Sequence, residues 1–234
     1  MTDGLLNKIV LEQIPNSGYG IITGDIGSGK SVMGYAVLEA VGDDRKKTKY
    51  VYCPPASLAN MLPKHINITY DLSDIPNNSI ILADEAYLSF YSREFQKDAN
   101  KFIDKLGGIA RHKDMIFVFI SQMLRRLDIS IVASARFLIF KKPSLLQSKF
   151  DRPEIRSLTE KAYNEIKKVK DYHKCCYLIS SDYDGIVKNS NGVPSWWNED
   201  ISKCYATDTD MVTGERVDKV EIKELNKVLL VHKV

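Results

Sequence analysis

The sequence has few of the features that mark metal-binding, secreted or membrane proteins. Its four cysteines, at positions 53, 175, 176 and 204, lack the paired short spacings of a zinc site and are expected to be reduced thiols. The first residues, MTDGLLNKIVLEQIP, contain no secretory signal pattern. The longest apolar run, at 116–120, is far shorter than a membrane span. These absences predict a cytoplasmic protein with no membrane span.

A strong excess of charge of one sign is also absent. Lysine and arginine total 33 against 30 aspartates and glutamates, and the resulting net charge of +3 is too small to indicate a nucleic-acid partner by itself. Hydrophobic residues at 44% and charged residues at 27% are typical of a globular chain. Internal repeats, low-complexity tracts and long linkers are missing, so the 234 residues predict one large domain or one domain with an appendage.

The most informative segment is GDIGSGKS at 24–31, which lies between a strand-like run at 19–23 and a helix-like run at 32–41. Its glycines allow successive backbone N–H groups to turn inward around phosphate oxygens, and the following helix directs its positive end at the same anion. In such a loop Lys30 reaches the β- and γ-phosphates, and the hydroxyl of Ser31 ligates Mg²⁺. The predicted nucleotide-binding residues are Gly24, Asp25, Ile26, Gly27, Ser28, Gly29, Lys30, Ser31 and Val32.

Two adjacent carboxylates end the next informative run, SIILADE at 79–85. Asp84 is expected to hold Mg²⁺ through water, because this ion keeps several waters and takes few protein carboxylates. Glu85 is the candidate general base that polarises the attacking water. A simple kinase or a switch GTPase does not need this second carboxylate, so the pair favours an ATPase.

A third apolar run, at 115–121, ends in Ser121 and Gln122. If this strand lies between the two strands that carry the phosphate motifs, Gln122 meets the γ-phosphate and can sense its presence. Just before the run, Arg111 belongs to a short basic cluster. That cluster either offsets the negative end of a preceding helix or serves the nucleotide site.

Strand-like and helix-like runs alternate along the chain, a pattern typical of a largely parallel sheet covered on both faces. Strands are predicted near 19–23, 49–53, 79–83, 115–121 and 136–141, and helices near 30–41, 92–110 and 154–170, with a short one around 56–62. Residues 65–79 fit an edge strand or a loop. The predicted division is an ATPase core at 1–174 and a small β-rich appendage at 175–234.

The appendage is predicted to begin with a hairpin at 175–190, turning at 182–185, and to end with a second hairpin and a strand within 205–234. Between them lie Trp196 and Trp197. This pair either stacks on nucleic-acid bases or fills a small core, and the second role is commoner for tryptophans beside a hairpin.

The motifs together resemble an additional-strand, RecA-like P-loop ATPase of the HerA/FtsK group, which includes DNA translocases, viral genome-packaging ATPases and the Zot-like proteins of phages. The resemblance covers residues 18–141. It rests on GDIGSGKS at 24–31, IILADEA at 80–86, GIARHKD at 108–114, ISQ at 120–122 and LDISIVASARFLIF at 127–140.

This resemblance implies a sheet of strand order 5-1-4-3-2, counted over the five predicted strands, and a homo-oligomeric ring, hexameric or pentameric, that hydrolyses ATP with Mg²⁺ to move double-stranded DNA. It also implies an arginine that enters the neighbouring subunit's site. Arg111 is the first candidate and Arg136 the second. The compact size favours viral genome packaging, with capsid vertex proteins as further partners and a location in the host cytoplasm or the virion.

DNA would have to be held by basic side chains that contact phosphates without reading sequence. The candidates are Arg125, Arg126, Lys167 and Lys168, with Lys141, Lys142, Lys161, Lys170 and Lys174 as further sources of charge. The helix lysines are equally consistent with the solvated face of an amphipathic helix. Two other functions stay open: a P-loop kinase or phosphotransferase, and a nucleotide-switch assembly protein without motor activity.

Overall fold

A computed structural model of the chain describes residues 4–84, 107–127, 129–201 and 204. Its centre is an eight-stranded sheet of order β3-β2-β4-β5-β1-β6-β7-β8. The first six strands of this order are parallel to one another, β7 pairs antiparallel with β6, and β8 pairs antiparallel with β7. The strands are β1 Gly18–Thr23, β2 Thr48–Tyr52, β3 Ile66–Thr69, β4 Ser79–Ala83, β5 Ile116–Ser121, β6 Phe137–Phe140, β7 Cys175–Ser180 and β8 Asp184–Lys188.

The five strands predicted from the sequence are β1, β2, β4, β5 and β6, and they lie in the expected order 5-1-4-3-2. The complete order differs because three further strands extend the sheet at its edges. The segment at 65–79 contributes β3 on one edge, where it pairs parallel with β2. The predicted α/β fold with a mostly parallel sheet is therefore confirmed.

Helices lie on both faces of the sheet. They are α1 Lys8–Gln13, α2 Lys30–Asp44, α3 Ala56–Ala59, α4 Ile129–Ser134, α5 Leu145–Phe150 and α6 Pro153–Ile166, together with helical residues 107–112 and short 3-10 turns at Leu72–Asp74, Leu124–Arg126 and Tyr172–Lys174. Of the helix predicted at 92–110, residues 92–106 lie outside the described part. None of the described helices has the length and apolar character needed to cross a membrane.

The period-2 geometry of the strands divides the core into two clusters. On one face, Ile80, Leu82 and Val118 pack with Met33 and Val37 of α2. On the other face, Phe117, Phe119 and Phe140 of the strands pack with Ile155 and Ala162 of α6. Because both faces are covered, β1, β4 and β5 are buried along their whole length, as their continuous apolar sequences predict.

The C-terminal hairpin continues the sheet directly. β7 pairs antiparallel with β6, with Phe140 opposite Tyr177, and β8 pairs with β7. The predicted hairpin is thus present, while the second hairpin and strand predicted within 205–234 lie outside the described residues. The division of the chain at residue 174 stays a prediction.

Candidate nucleotide site

Three functional segments meet at one edge of the sheet. β5 lies between β4 and β1, with Ala83 opposite Phe119 and Thr23 opposite Ser121. Because these strands are parallel, their carboxyl ends share one edge, so Gly24, Asp84 and Gln122 emerge next to one another. This is the arrangement on which the predicted role of Gln122 depends.

The loop between β1 and α2 has the backbone of an anion cradle. Gly24, Gly27 and Gly29 have φ values of +151°, +71° and +88°, a region that side chains disfavour. A Cβ on Gly24 would lie 2.8 Å from the Lys141 carbonyl oxygen, so the close packing of the loop on the end of β6 requires glycine there. The loop is held to that strand end because the Asp25 amide donates a hydrogen bond to the Lys142 carbonyl at 3.0 Å.

The side chains of the loop are arranged around this cradle. Lys30 is only 8% exposed, and its Nζ donates a hydrogen bond to the Asp25 carbonyl oxygen at 2.7 Å. Ser28 is buried, and its Oγ has no hydrogen-bond partner among the described residues. A buried polar atom without a partner is costly, so the Ser28 hydroxyl fits a site that binds a polar ligand such as phosphate.

The two sequence motifs touch through Ser31 and Asp84. Ser31 Oγ donates a hydrogen bond to Oδ2 of Asp84 at 3.2 Å. A hydroxyl and a carboxylate are the hard oxygen ligands that Mg²⁺ prefers, so these two residues fit the predicted metal role. Glu85, the candidate general base, lies outside the described residues.

Gln122 is positioned through its backbone by a helix that the sequence did not connect with the site. Its carbonyl accepts a hydrogen bond from Gln147 Nε2 at 2.8 Å, and Gln147 forms a reciprocal capping box with Ser144 at the start of α5. Between these segments and the loop lies a cavity of about 430 Å³, lined by residues that include Thr23, Gly24, Gln122, Leu124, Phe140 and Phe150.

Comparison with solved structures identifies this architecture. The genome-packaging NTPase B204 of Sulfolobus turreted icosahedral virus 2 in complex with ATP-γS superposes with a TM-score of 0.51 at 16% sequence identity, over 75% of this chain and 97% of that one. The chain has the fold of a P-loop NTPase. The same viral NTPase in complex with AMP gives a TM-score of 0.52 at 15% identity, over 75% and 98% of the two chains. No family model and no curated protein sequence matches the chain.

Within this P-loop NTPase fold, both arginine candidates lie at the opposite edge of the sheet from the loop. Arg111 is exposed on helical residues 107–112, ahead of β5, and Arg136 directly precedes β6. The six residues of β5 separate the two edges by about 20 Å. Neither arginine can therefore reach the loop of its own chain, and a catalytic role for either one would require a second copy of the chain.

The candidate DNA contacts are distributed unevenly. Arg125 is exposed and lines the cavity beside the loop, and Arg126 closes the same 3-10 turn. Lys167 and Lys168 follow α6 on its solvent side: Lys167 Nζ lies 5.3 Å from the Tyr163 ring centroid and Lys168 forms an ion pair with Glu165 at 2.7 Å. The contacts of these four side chains with DNA stay a prediction.

Lys141 corrects one expectation from the sequence. It is fully buried, and its Nζ donates hydrogen bonds to the His173 carbonyl at 2.6 Å and to Asn191 Oδ1 at 3.1 Å. Burial lowers the pKa of Lys141 from its ordinary value. Lys141 cannot contact DNA, because the end of β6 directs its side chain inward beneath the loop. Nothing in the sequence distinguishes Lys141 from Lys142, which follows it directly.

Trp196 and Trp197 pack on the helix that follows the loop. Their rings lie 5.3 and 5.6 Å from that of Tyr35, and Trp196 Nε1 donates a hydrogen bond to Glu39 Oε1 at 2.8 Å. Glu39 is 6% exposed and also accepts from Lys49 and contacts His65. Both tryptophans are thus half-buried against the core, which favours the commoner of the two roles predicted for them.

Proposed function

We propose that the protein is a Mg²⁺-dependent ATPase that moves double-stranded DNA, as a viral genome-packaging motor. The observation that carries this proposal is the hydrogen bond between Ser31 and Asp84, which unites a glycine-lined anion loop with a strand-end carboxylate next to the tip of β5. Such a group of residues suits a nucleoside triphosphate terminus bound with a metal ion.

In this mechanism, the loop amides and the start of α2 bind the phosphate chain, and the Lys30 ammonium neutralises its outer oxygens. Mg²⁺ held by Ser31 and Asp84 would offset the charge that develops on the phosphoryl oxygens. Glu85 follows Asp84 directly in the sequence and is proposed to accept the proton of the attacking water. Gln122, whose backbone Gln147 fixes, is proposed to sense the γ-phosphate.

The coupling to DNA is supported by the shared fold and by the exposed basic side chains. The structurally similar B204 protein is a genome-packaging NTPase, and the superposition covers 97% of its length. We propose that this chain also acts in a ring of identical subunits, five or six in number, at the capsid vertex of a virus, in the host cytoplasm or associated with the virion.

The positions of Arg111 and Arg136 support the ring. Both lie at the amino edge of the sheet, about 20 Å from their own loop, so a planar guanidinium there could only serve a neighbour's γ-phosphate. We propose Arg111 as the arginine that acts in trans and Arg136 as the second candidate.

The decisive experiment measures ATP hydrolysis with and without double-stranded DNA, alongside the mass of the protein in solution. We expect Mg²⁺-dependent hydrolysis that DNA stimulates, an oligomer, loss of nucleotide binding in Lys30→Ala, and slow hydrolysis with retained binding in Glu85→Gln. Tight nucleotide binding with little hydrolysis even on DNA would favour the nucleotide-switch function. Transfer of the γ-phosphate to a small acceptor would favour a kinase. Either result would contradict the proposed DNA-translocating activity.

A further inference from the structure

We propose that Tyr172 and His173, together with Lys142, form the surface on which the base of the bound nucleotide stacks. This proposal rests on the proposed nucleotide-binding function and adds a site for the other end of the ligand. The three residues stand apart from every motif in the sequence, and tertiary contacts bring them to the side of the loop.

The direction of the nucleotide follows from the site. The residues expected at the γ-phosphate, Asp84 and Gln122, lie at the ends of β4 and β5, on one side of β1. The phosphate chain must therefore leave the loop on the other side of β1, where β6 ends. The nucleoside is carried toward the residues that follow β6, which begin with Lys141 and Lys142.

Two hydrogen bonds fix this surface to the loop. The Lys142 carbonyl accepts from the Asp25 amide at 3.0 Å. The buried Lys141 donates to the His173 carbonyl at 2.6 Å, while a Cβ on Gly29 would lie 3.6 Å from Lys141 Cε. The Lys141 side chain thus spans the gap between the backbone of His173 and Gly29, the residue that precedes α2.

The three side chains form a tilted aromatic stack with a cation over the Tyr172 ring. The rings of Tyr172 and His173 have centroids 4.1 Å apart and an interplanar angle of 34°. Lys142 Nζ lies 4.0 Å from the Tyr172 ring centroid. Tyr172 is half-buried and His173 is exposed, so the His173 ring is the one open to a ligand, and the Tyr172 ring supports it from below. Aromatic rings next to a cation stack well on nucleobases, since every base has a π-face.

The structure supplies a matched control for this surface. Lys167 Nζ lies 5.3 Å from the Tyr163 ring centroid, which repeats the lysine–tyrosine contact at the far end of α6, away from the loop. Tyr163→Ala therefore removes an equivalent ring without touching the proposed site.

The test compares ADP with inorganic tripolyphosphate, which occupies the loop but has no base, as ligands of the full chain by calorimetry. We expect Tyr172→Ala and His173→Ala to weaken ADP binding about tenfold, as the loss of stacking on one base implies, and to leave tripolyphosphate binding unchanged. Tyr172→Phe should retain ADP affinity, because stacking does not need the hydroxyl. Tyr163→Ala should bind both ligands like the wild type.

The outcomes separate the two proposals. If the wild type binds both ligands, and Tyr172→Ala binds ADP and tripolyphosphate as tightly as the wild type does, the stacking proposal is wrong. The proposed nucleotide site is unaffected by that result. Equal weakening of both ligands in Tyr172→Ala would also overturn the stacking proposal, since that result indicates damage to the loop. If the wild type binds neither ligand and Lys30→Ala changes nothing, the nucleotide function itself fails.

Discussion

Ser31 and Asp84 are 53 positions apart in the sequence, and their side chains meet in a hydrogen bond of 3.2 Å at the carboxyl edge of the sheet. This contact exists because β5 lies between β1 and β4 and holds their ends in register. It turns two separate sequence motifs into one candidate site for a metal ion and a triphosphate.

Replacement of Asp84 by Asn should weaken the use of Mg²⁺ selectively. Asn keeps the size of the side chain and an oxygen that accepts from Ser31, but it removes the charge that holds the ion. We expect the Mg²⁺ concentration for half-maximal ATP hydrolysis to rise roughly 10- to 100-fold. Metal-free ADP binding, measured by calorimetry, should stay near the wild-type value. An unchanged Mg²⁺ requirement would remove Asp84 from the site.

Alanine should be tolerated far less well at Gly24 than at Gly27. A Cβ at Gly24 would lie 2.8 Å from both the Lys141 carbonyl oxygen and Ser28 Oγ, whereas a Cβ at Gly27 would meet nothing within 4 Å. Gly24→Ala should lower the free energy of unfolding by about 1–3 kcal/mol through crowding. Gly27→Ala should cost only the left-handed backbone conformation, about 1 kcal/mol. Chemical denaturation compares them, and an equal or reversed order contradicts this packing of the loop.

The contacts of Glu39 make the stability of the fold dependent on pH in the acidic range. Burial raises the pKa of Glu39, but hydrogen bonds from Lys49, His65 and Trp196 outweigh burial and hold this pKa below its ordinary value of 4.5. A carboxyl group with a lowered folded-state pKa stabilises the protein above pH 4.5, and this contribution is lost as the pH falls through the lowered value.

Glu39→Gln therefore tests this group directly. The difference in free energy of unfolding between wild type and Glu39→Gln should be largest at neutral pH and should shrink as the pH falls below 4.5. Glu12→Gln, which alters an exposed i,i+4 pair with Lys8, serves as the control and should show little difference from wild type at any pH. A difference that is constant with pH would contradict the assigned hydrogen bonds.

Lys167 and Lys168 provide a test of DNA binding. If both touch phosphates, their double alanine variant should bind double-stranded DNA more weakly, and the slope of log affinity against log salt should become shallower by about 0.9 for each phosphate that a lysine no longer neutralises. The matched control is the double alanine variant of Lys8 and Lys149, which are exposed as well and form ion pairs with Glu12 and Glu160. If the two double variants reduce DNA affinity equally, Lys167 and Lys168 belong to a solvent-exposed face that does not bind DNA specifically.

The trans role of Arg111 predicts complementation between two inactive proteins. A subunit with Arg111→Ala has an intact loop, and a subunit with Lys30→Ala has an intact Arg111. In a mixed ring, some interfaces therefore join an intact loop on one subunit to an intact Arg111 on its neighbour. ATP hydrolysis of the mixture should exceed that of either variant alone. The same mixing with Arg136→Ala tests the second candidate. A mixture without recovered activity would count against the trans arginine.

Local sequence determined much of the fold. Residues 24–31 predict the loop because each glycine is needed for a local backbone conformation, and the continuous apolar runs of β1, β4 and β5 predict buried parallel strands. The strand order among these five elements followed from the resemblance of the motifs. The edge strands could not be placed in this way, because the partner of a strand depends on residues distant in sequence.

The roles of similar neighbouring residues were decided by position in three dimensions. Lys141 and Lys142 read alike, yet one is fully buried beneath the loop and the other lies over the Tyr172 ring. The sequence of Trp196 and Trp197 fits either a core or a base-stacking surface, and the contacts with Tyr35 and Glu39 favour the core. The sequence alone determined which chemistry the chain carries at residues 24–31, since that depends on backbone freedom and residue type along one short segment. The tertiary structure decided which distant side chains share the site and which are buried, since those depend on the register of strands far apart in the chain.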